Sequence, residues 1–227
     1  MEIQECKMVK LYIVRHGETE LNGRGIIQCQ VDNYSINENG KKDAHYVGEN
    51  LPKDIDIIIS SPLKRAVATS SIISTYNNAS IMVIDGLEEM YGGNINTMTV
   101  EEFSAMKFNP PLVYKGFVSG QDFIVSEGQT IRDCMFLNDL EYQNFSYPDG
   151  ESKAKAKERF SNAILNFVKK YPQYKKIIVV SHGFTIKSFV AGISELSDFK
   201  MMRHRDILEF NLENNKFIFE NYKRFEK

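Results

Sequence analysis

The stretch Leu11-Tyr-Ile-Val-Arg-His-Gly-Glu-Thr-Glu20 decides the fold. A short apolar run stops abruptly at Arg15-His16-Gly17. An apolar run of about four to eight residues closed by a glycine turn reads as a buried strand. Open α/β sheets bind their ligands beyond the carboxyl ends of such strands. A cation and an imidazole therefore stand where a substrate is expected.

Further along, the same ending recurs. Lys176-Ile-Ile-Val-Val180 is a second apolar run, and it closes on Ser181-His182-Gly183. Parallel strands bring their carboxyl ends to one rim of a sheet, so two histidines 166 positions apart are expected to share one crevice. The glycine after each histidine would let a ligand approach the backbone closely. The chain has four histidines. The other two, His45 and His204, lie among polar and charged residues and read as surface groups.

Residues 17–37, rich in Gly, Asn, Gln and Asp, read as a long loop after the first strand. Ala44, Val47 and Leu51 share a helical face after Asn39-Gly40, and Pro52 stops that helix. Asp54-Ile-Asp-Ile-Ile-Ile59 and Ile81-Met-Val-Ile84 are further strands. Between them, Ser61-Pro62 reads as the N-cap and first residue of a helix running to about Tyr76. Phe160, Ala163, Ile164, Phe167, Val168 and Tyr171 fall at helical spacing and predict a helix over 152–171. Another helix is expected over roughly 184–192. Asn214-Asn215 suggests a hairpin turn between two closing strands, 207–212 and 215–221.

Strands alternating with helices predict an α/β fold, a three-layer αβα sandwich on a mostly parallel sheet, with the hairpin as an antiparallel edge. Residues 94–147 break the alternation. Thr99-Val-Glu-Glu-Phe103 reads as a short capped helix, and Asn109-Pro-Pro111 interrupts the chain. Aromatics recur at Phe108, Tyr114, Phe117, Phe123, Phe136, Tyr142, Phe145 and Tyr147. They are too many for a disordered linker. The segment reads as an ordered, partly helical cap inserted into a single domain of residues 1–227.

The 227 residues carry a net charge of −2, with 42% hydrophobic and 26% charged side chains. That balance argues against nucleic acid or an anionic membrane as partner. Cys6, Cys29 and Cys134 are too few and too scattered for a disulfide framework or a close-spaced zinc site. The N-terminal residues lack the apolar core of a signal peptide, and no run reaches a membrane-spanning length. A cytoplasmic protein is expected.

Two more groups join the histidines. Arg65, in Ser60-Ser-Pro-Leu-Lys-Arg-Ala66, falls in the first turn of the helix after the second strand, near the rim. Glu88 and Glu89 follow the third strand; one reads as a surface residue and the other as a proton donor. Guanidinium, imidazole and carboxyl together suggest phosphoryl transfer. Arg binds phosphoryl oxygens bidentately with a fixed charge. Neutral imidazole is a nucleophile near pH 7. No metal is needed if Arg and His supply the electrostatics.

These residues resemble the histidine phosphatase superfamily, which includes cofactor-dependent phosphoglycerate mutases and many phosphomonoesterases. The likeness rests on Leu11 to Asn22, Gln28, Asp32, Ile36-Asn-Glu-Asn-Gly40, Ser60-Ser-Pro-Leu-Lys-Arg65, Leu87-Glu-Glu89, Asp149-Gly-Glu-Ser152 and Val180-Ser-His-Gly183. It covers 9–93 and 148–221 but not 94–147. The resemblance implies that His16 is the phosphorylated nucleophile and Glu89 the general acid and base. It implies that Arg15, Arg65 and His182 hold the phosphoryl oxygens, with Asn22, Gln28 and Gly183 completing the phosphate-binding set. Two departures touch the entrance loop: Cys29 stands where many relatives have Gly, and Ser35-Ile36 replaces a usual Pro-Leu.

Mutases of the family carry an Arg pair after the acid. Here 66–158 holds one Arg, Arg132, plus Lys107 and Lys115 in the insertion's first half. An aromatic-rich insertion suits an apolar or mixed leaving group. The expected function is a phosphomonoesterase acting on a small phosphorylated metabolite, with no cofactor. The alternative is a phosphoglycerate mutase primed by 2,3-bisphosphoglycerate, and a non-catalytic phosphate-binding protein is the remote third. The expected partner is a small phosphate monoester. Oligomeric state stays open, a homodimer being one option.

Overall fold

A computed structural model describes residues 8–31, 33–105, 112–125, 140–147 and 149–225. Cys6, Asp32, Lys107, Phe108, Asn109-Pro-Pro111, Arg132, Cys134 and Phe136 lie outside the described residues.

Strand β1 (Val9–Arg15) is apolar on both faces because it has a layer of helices on each side. Leu11 and Ile13 point into one core; Tyr12 and Val14 point into the other. This is the period-2 consequence of the pleat. With β2 (Ile57–Ser60), β3 (Ser80–Val83), β6 (Lys176–Ser181), β7 (Ile207–Glu213) and β8 (Lys216–Lys223), it forms a six-stranded sheet in the order β3-β2-β6-β1-β7-β8. The pairs β3-β2, β2-β6 and β6-β1 are parallel; β1-β7 and β7-β8 are antiparallel. Helices α2 (Glu38–Asn50) and α3 (Lys64–Asn77) cover one face through Val47, Ala66 and Ile73. Helices α5 (Lys153–Lys170) and α6 (Gly183–Val190) cover the other through Phe160, Ile164, Phe167 and Phe189. The expected three-layer α/β architecture is what the chain adopts.

Local chemistry explains the boundaries and some differences from expectation. Ser152 caps α5 by accepting from the Lys155 N–H. Asn214 and Asn215 both take left-handed backbone, with φ of 49° and 63°, as a tight hairpin turn requires. Helix α2 starts earlier than expected, because Asn37 caps it by accepting from the Gly40 N–H. The loop after β1 contains a one-turn helix, α1 (Glu20–Gly23), closed by a Thr19–Asn22 capping box. Helix α3 begins at Lys64, not at Pro62, and Ser61 is not its N-cap. The Ser61 hydroxyl accepts from the Leu63 N–H and also bonds His182, so it serves the rim instead.

In the inserted segment, Thr99 and Glu102 exchange capping bonds at the start of α4 (Val100–Ala105). Strands β4 (Leu112–Lys115) and β5 (Asp122–Val125) form an antiparallel pair that four-residue periodicity was too short to reveal. Tyr114, Phe123, Tyr142, Phe145, Tyr147 and Phe103 make a connected aromatic cluster behind it. Among the described residues, no helix is long and apolar enough to cross a membrane.

Candidate active site

The register of β1 on β6 builds the centre of the site. Arg15 pairs with Ser181, so the next residue on each strand is a histidine. The His16 N–H donates to the Ser181 carbonyl at 2.9 Å. The two imidazole rings lie 5.0 Å apart, centroid to centroid.

Both rings are buried. His16 Nδ1 is 2.7 Å from the Gly17 carbonyl oxygen. A carbonyl only accepts, so Nδ1 carries the proton and Nε2 carries the lone pair. Burial, then the nearby His182, Arg65, Arg15 and His204, holds the His16 pKa well below the usual imidazole value. His182 is shifted the same way, by burial first and then by Arg65, Arg15 and Arg159. Both rings are therefore neutral at pH 7. His182 Nε2 bonds the Ser61 hydroxyl at 2.7 Å.

The guanidinium groups are fixed by backbone carbonyls. Arg65 is only 1% exposed; it donates to Val31 O at 2.9 Å and to Cys29 O at 2.5 Å. Cys29 adopts φ +43°, a backbone conformation glycine takes freely. That conformation explains the glycine of many relatives at this place. Arg15 donates through Nη1 to Met202 O at 2.9 Å. Gln28 accepts the Thr19 hydroxyl at 2.6 Å. Among the described residues Arg15 Nε, Gln28 Nε2 and His182 Nδ1 are buried without a partner. Such orphans are rare and call for a ligand or water. Arg15 and Gln28 line one cavity of about 330 Å³ together with His16, Asn22, Arg65, Glu89 and Gly183, whereas His182 stands beside His16 and is not itself in the lining. The half-buried Asn22 lends its side-chain oxygen to the Thr19 N–H.

Glu89, not Glu88, faces this cavity. Its carboxylate caps the N-terminus of α6, accepting from the Thr185 N–H at 2.9 Å and the Phe184 N–H at 3.1 Å. Glu88 turns away to Arg159. The remaining walls include Ile26, Ile27, Val100, Phe103, Phe184 and Met201, with Glu18 and His204.

Two expectations are corrected. His204 is not a surface group: its ring lies 5.5 Å from that of His16 and lines the cavity, whereas His45 is exposed. Its neighbours Arg203 and Arg205 made the stretch read as a solvated run. That three of only four histidines converge was the available signal. Second, Gly17 serves backbone packing and not ligand approach, while Gly183 lines the cavity. A Cβ on Gly17 would strike the backbone of Gly40, and one on Gly183 would sit 3.3 Å from Cζ of Arg15 and 2.9 Å from Sδ of Met201. Thr69, also not anticipated, accepts the Gly17 N–H at 2.9 Å.

The model of the histidine phosphatase superfamily (branch 1) matches residues 11–135 and 121–223. The chain belongs to that superfamily. Within it, the metal-independent phosphoserine phosphatase of Arabidopsis thaliana is 27% identical over 221 residues, 96% of this chain and 82% of that protein. An uncharacterized phosphatase of Bacillus subtilis, PhoE, is 29% identical over 82% of this chain and 78% of its own length. A variant of phosphoserine phosphatase from Entamoeba histolytica, solved with phosphoserine, superposes with a TM-score of 0.68 at 26% identity, covering 94% of this chain and 95% of that one. Among the described residues no group of three or more His, Cys, Asp or Glu is placed to hold a metal ion.

Proposed function

We propose that this histidine phosphatase superfamily member is a metal-independent phosphomonoesterase that acts on a small phosphate monoester through a phosphohistidine at His16. The observation that carries the reading is the state of that ring. It is neutral, its Nδ1–H is committed to the Gly17 carbonyl, and Nε2 is left as the nucleophilic atom in a cavity lined by the buried Arg65 and the half-buried Arg15. The phosphatase names of the relatives support the same activity.

The reaction balances on these residues. The Nε2 lone pair attacks phosphorus, and the bond from phosphorus to the ester oxygen breaks. Arg15, Arg65 and His182 hold the non-bridging oxygens, with Asn22, Gln28 and the start of α6 at Gly183 beside them. Among the described residues, Glu89 Oε1 is occupied by three donors, from Met90 and Thr185, whereas Oε2 takes only the Phe184 N–H. Oε2 is therefore the oxygen that gives a proton to the leaving group. Water then attacks phosphorus, Glu89 takes its proton, and the nitrogen–phosphorus bond breaks. Inorganic phosphate leaves and His16 is again neutral. Helix α4 of the inserted segment meets the leaving group through Val100 and Phe103.

Phosphate release from p-nitrophenyl phosphate and from a panel including phosphoserine, with and without EDTA, tests the reading. Hydrolysis that persists in EDTA and passes through an acid-labile phosphoenzyme is expected. Rapid 3- to 2-phosphoglycerate interconversion primed by bisphosphoglycerate, with negligible hydrolysis, would replace it with the mutase.

A further inference from the structure

We infer that His204 is a positioning residue for the nucleophile, acting through the main chain of His16 from a strap formed by residues 199–206. The inference rests on the phosphohistidine reading above.

The strap joins the region after α6 to β7, and it is pinned at four successive points. The buried Lys187 donates to Phe199 O at 2.8 Å. Met202 O accepts from Arg15 at 2.9 Å. Arg205 Nε pairs with Asp43 of α2 at 2.6 Å. The buried Asp206 accepts from the Arg203 N–H at 3.0 Å and from the Tyr222 hydroxyl at 2.6 Å. Between these anchors, His204 Nδ1 reaches the His16 carbonyl oxygen at 2.5 Å. That oxygen only accepts, so Nδ1–H is the donor.

Adjacent residues Arg15 and His16 are thus both tied to the same strap, one by its side chain and one by its backbone. The His16 carbonyl belongs to the peptide unit that leads into Gly17. The Gly17 carbonyl in turn receives the His16 ring proton. Tilting the first peptide plane would tilt that acceptor and rotate the ring, moving Nε2 off the line of attack. A misplacement of about 1 Å can cost on the order of 10²-fold in rate.

Side-chain geometry supplies the test. An Asn amide at 204 places an N–H close to the position of Nδ1, whereas a Gln amide reaches the position of Nε2. His204→Ala, His204→Asn and His204→Gln are compared for kcat, KM and the single-turnover rate of phosphoenzyme formation on p-nitrophenyl phosphate, with melting temperature as a check on folding. Expected are a fall of about 10- to 100-fold in kcat and in phosphoenzyme formation for His204→Ala, with KM nearly constant, and recovery in His204→Asn to within about threefold of wild type. A merely structural role would lower the melting temperature without this split. Recovery in Gln but not Asn, a change confined to KM, or wild-type rates in all three overturns the inference. A wild-type enzyme that forms no phosphoenzyme instead overturns the reading on which it rests.

Discussion

The strand rim and the inserted segment meet at one cavity but are built on opposite plans. At the rim, buried polar groups are each tied to a backbone carbonyl or hydroxyl: Arg65 to residues 29 and 31, Arg15 to residue 202, His182 to Ser61. In the insertion, aromatics pack on one another, as in the buried, edge-to-face Phe145–Tyr147 pair at 5.8 Å. From that segment only Val100 and Phe103 are among the described residues that line the cavity. Rigid polar wiring suits a reacting group whose shape never changes. A wall made by one short helix can change without disturbing that wiring. On the proposed reading, the rim sets the rate and α4 the selectivity.

The largest effect should come from the rim's centre. His16→Ala should abolish the phosphoenzyme and lower kcat by at least about 10³-fold, read by single-turnover trapping; retained burst kinetics would move the nucleophile elsewhere. Arg65→Ala should lower kcat/KM by about 10²-fold, because it removes fixed positive charge from the transition state. Normal turnover there would break the division outright.

Next comes a stability effect of the same buried rings. His16 and His182 have folded-state pKa values depressed below that of the unfolded chain. As pH falls below about 6.5 the unfolded chain takes up protons that the folded chain refuses. Their contribution is therefore complete above that pH and is lost on acidification, with a slope of at most one proton per ring. Denaturant titrations between pH 7 and 5 should show this slope, and His16→Ala should remove about half of it. The smallest effect should be Val100→Ala, which sits on an exposed part of α4. A change of a few-fold in KM for bulky aryl esters, with none for small alkyl phosphates, would sharpen the comparison.

The sheet and its paired histidines were legible because strand ends advertise themselves: an apolar run that stops at Arg15-His16 and again at Ser181-His182 fixes a rim before any contact is known. Ser61 was misread because Ser-Pro before an apolar period signals a cap, and only the approach of His182 makes it something else. His204 was hidden because local composition cannot show that a charged loop folds back onto β1. The aromatics of the insertion were visible as a set, but not their destination. Among the described ones, Tyr114, Tyr142, Phe145 and Tyr147 join a cluster that also takes in Ile27, Cys29 and Ala156, Phe117 is exposed, and the cavity's apolar wall comes largely from residues 26, 27, 184 and 201.

Gly17 and Gly40 touch through bare α-carbons, backbone against backbone. A joint with no side chain between its halves has no cushion. Whatever draws α2 outward, whether an antibody bound to its solvent face or a crosslink across its exposed lysines, will tug on the loop that holds residue 16. A distant outer helix thereby becomes a handle for inhibition that never enters the cavity.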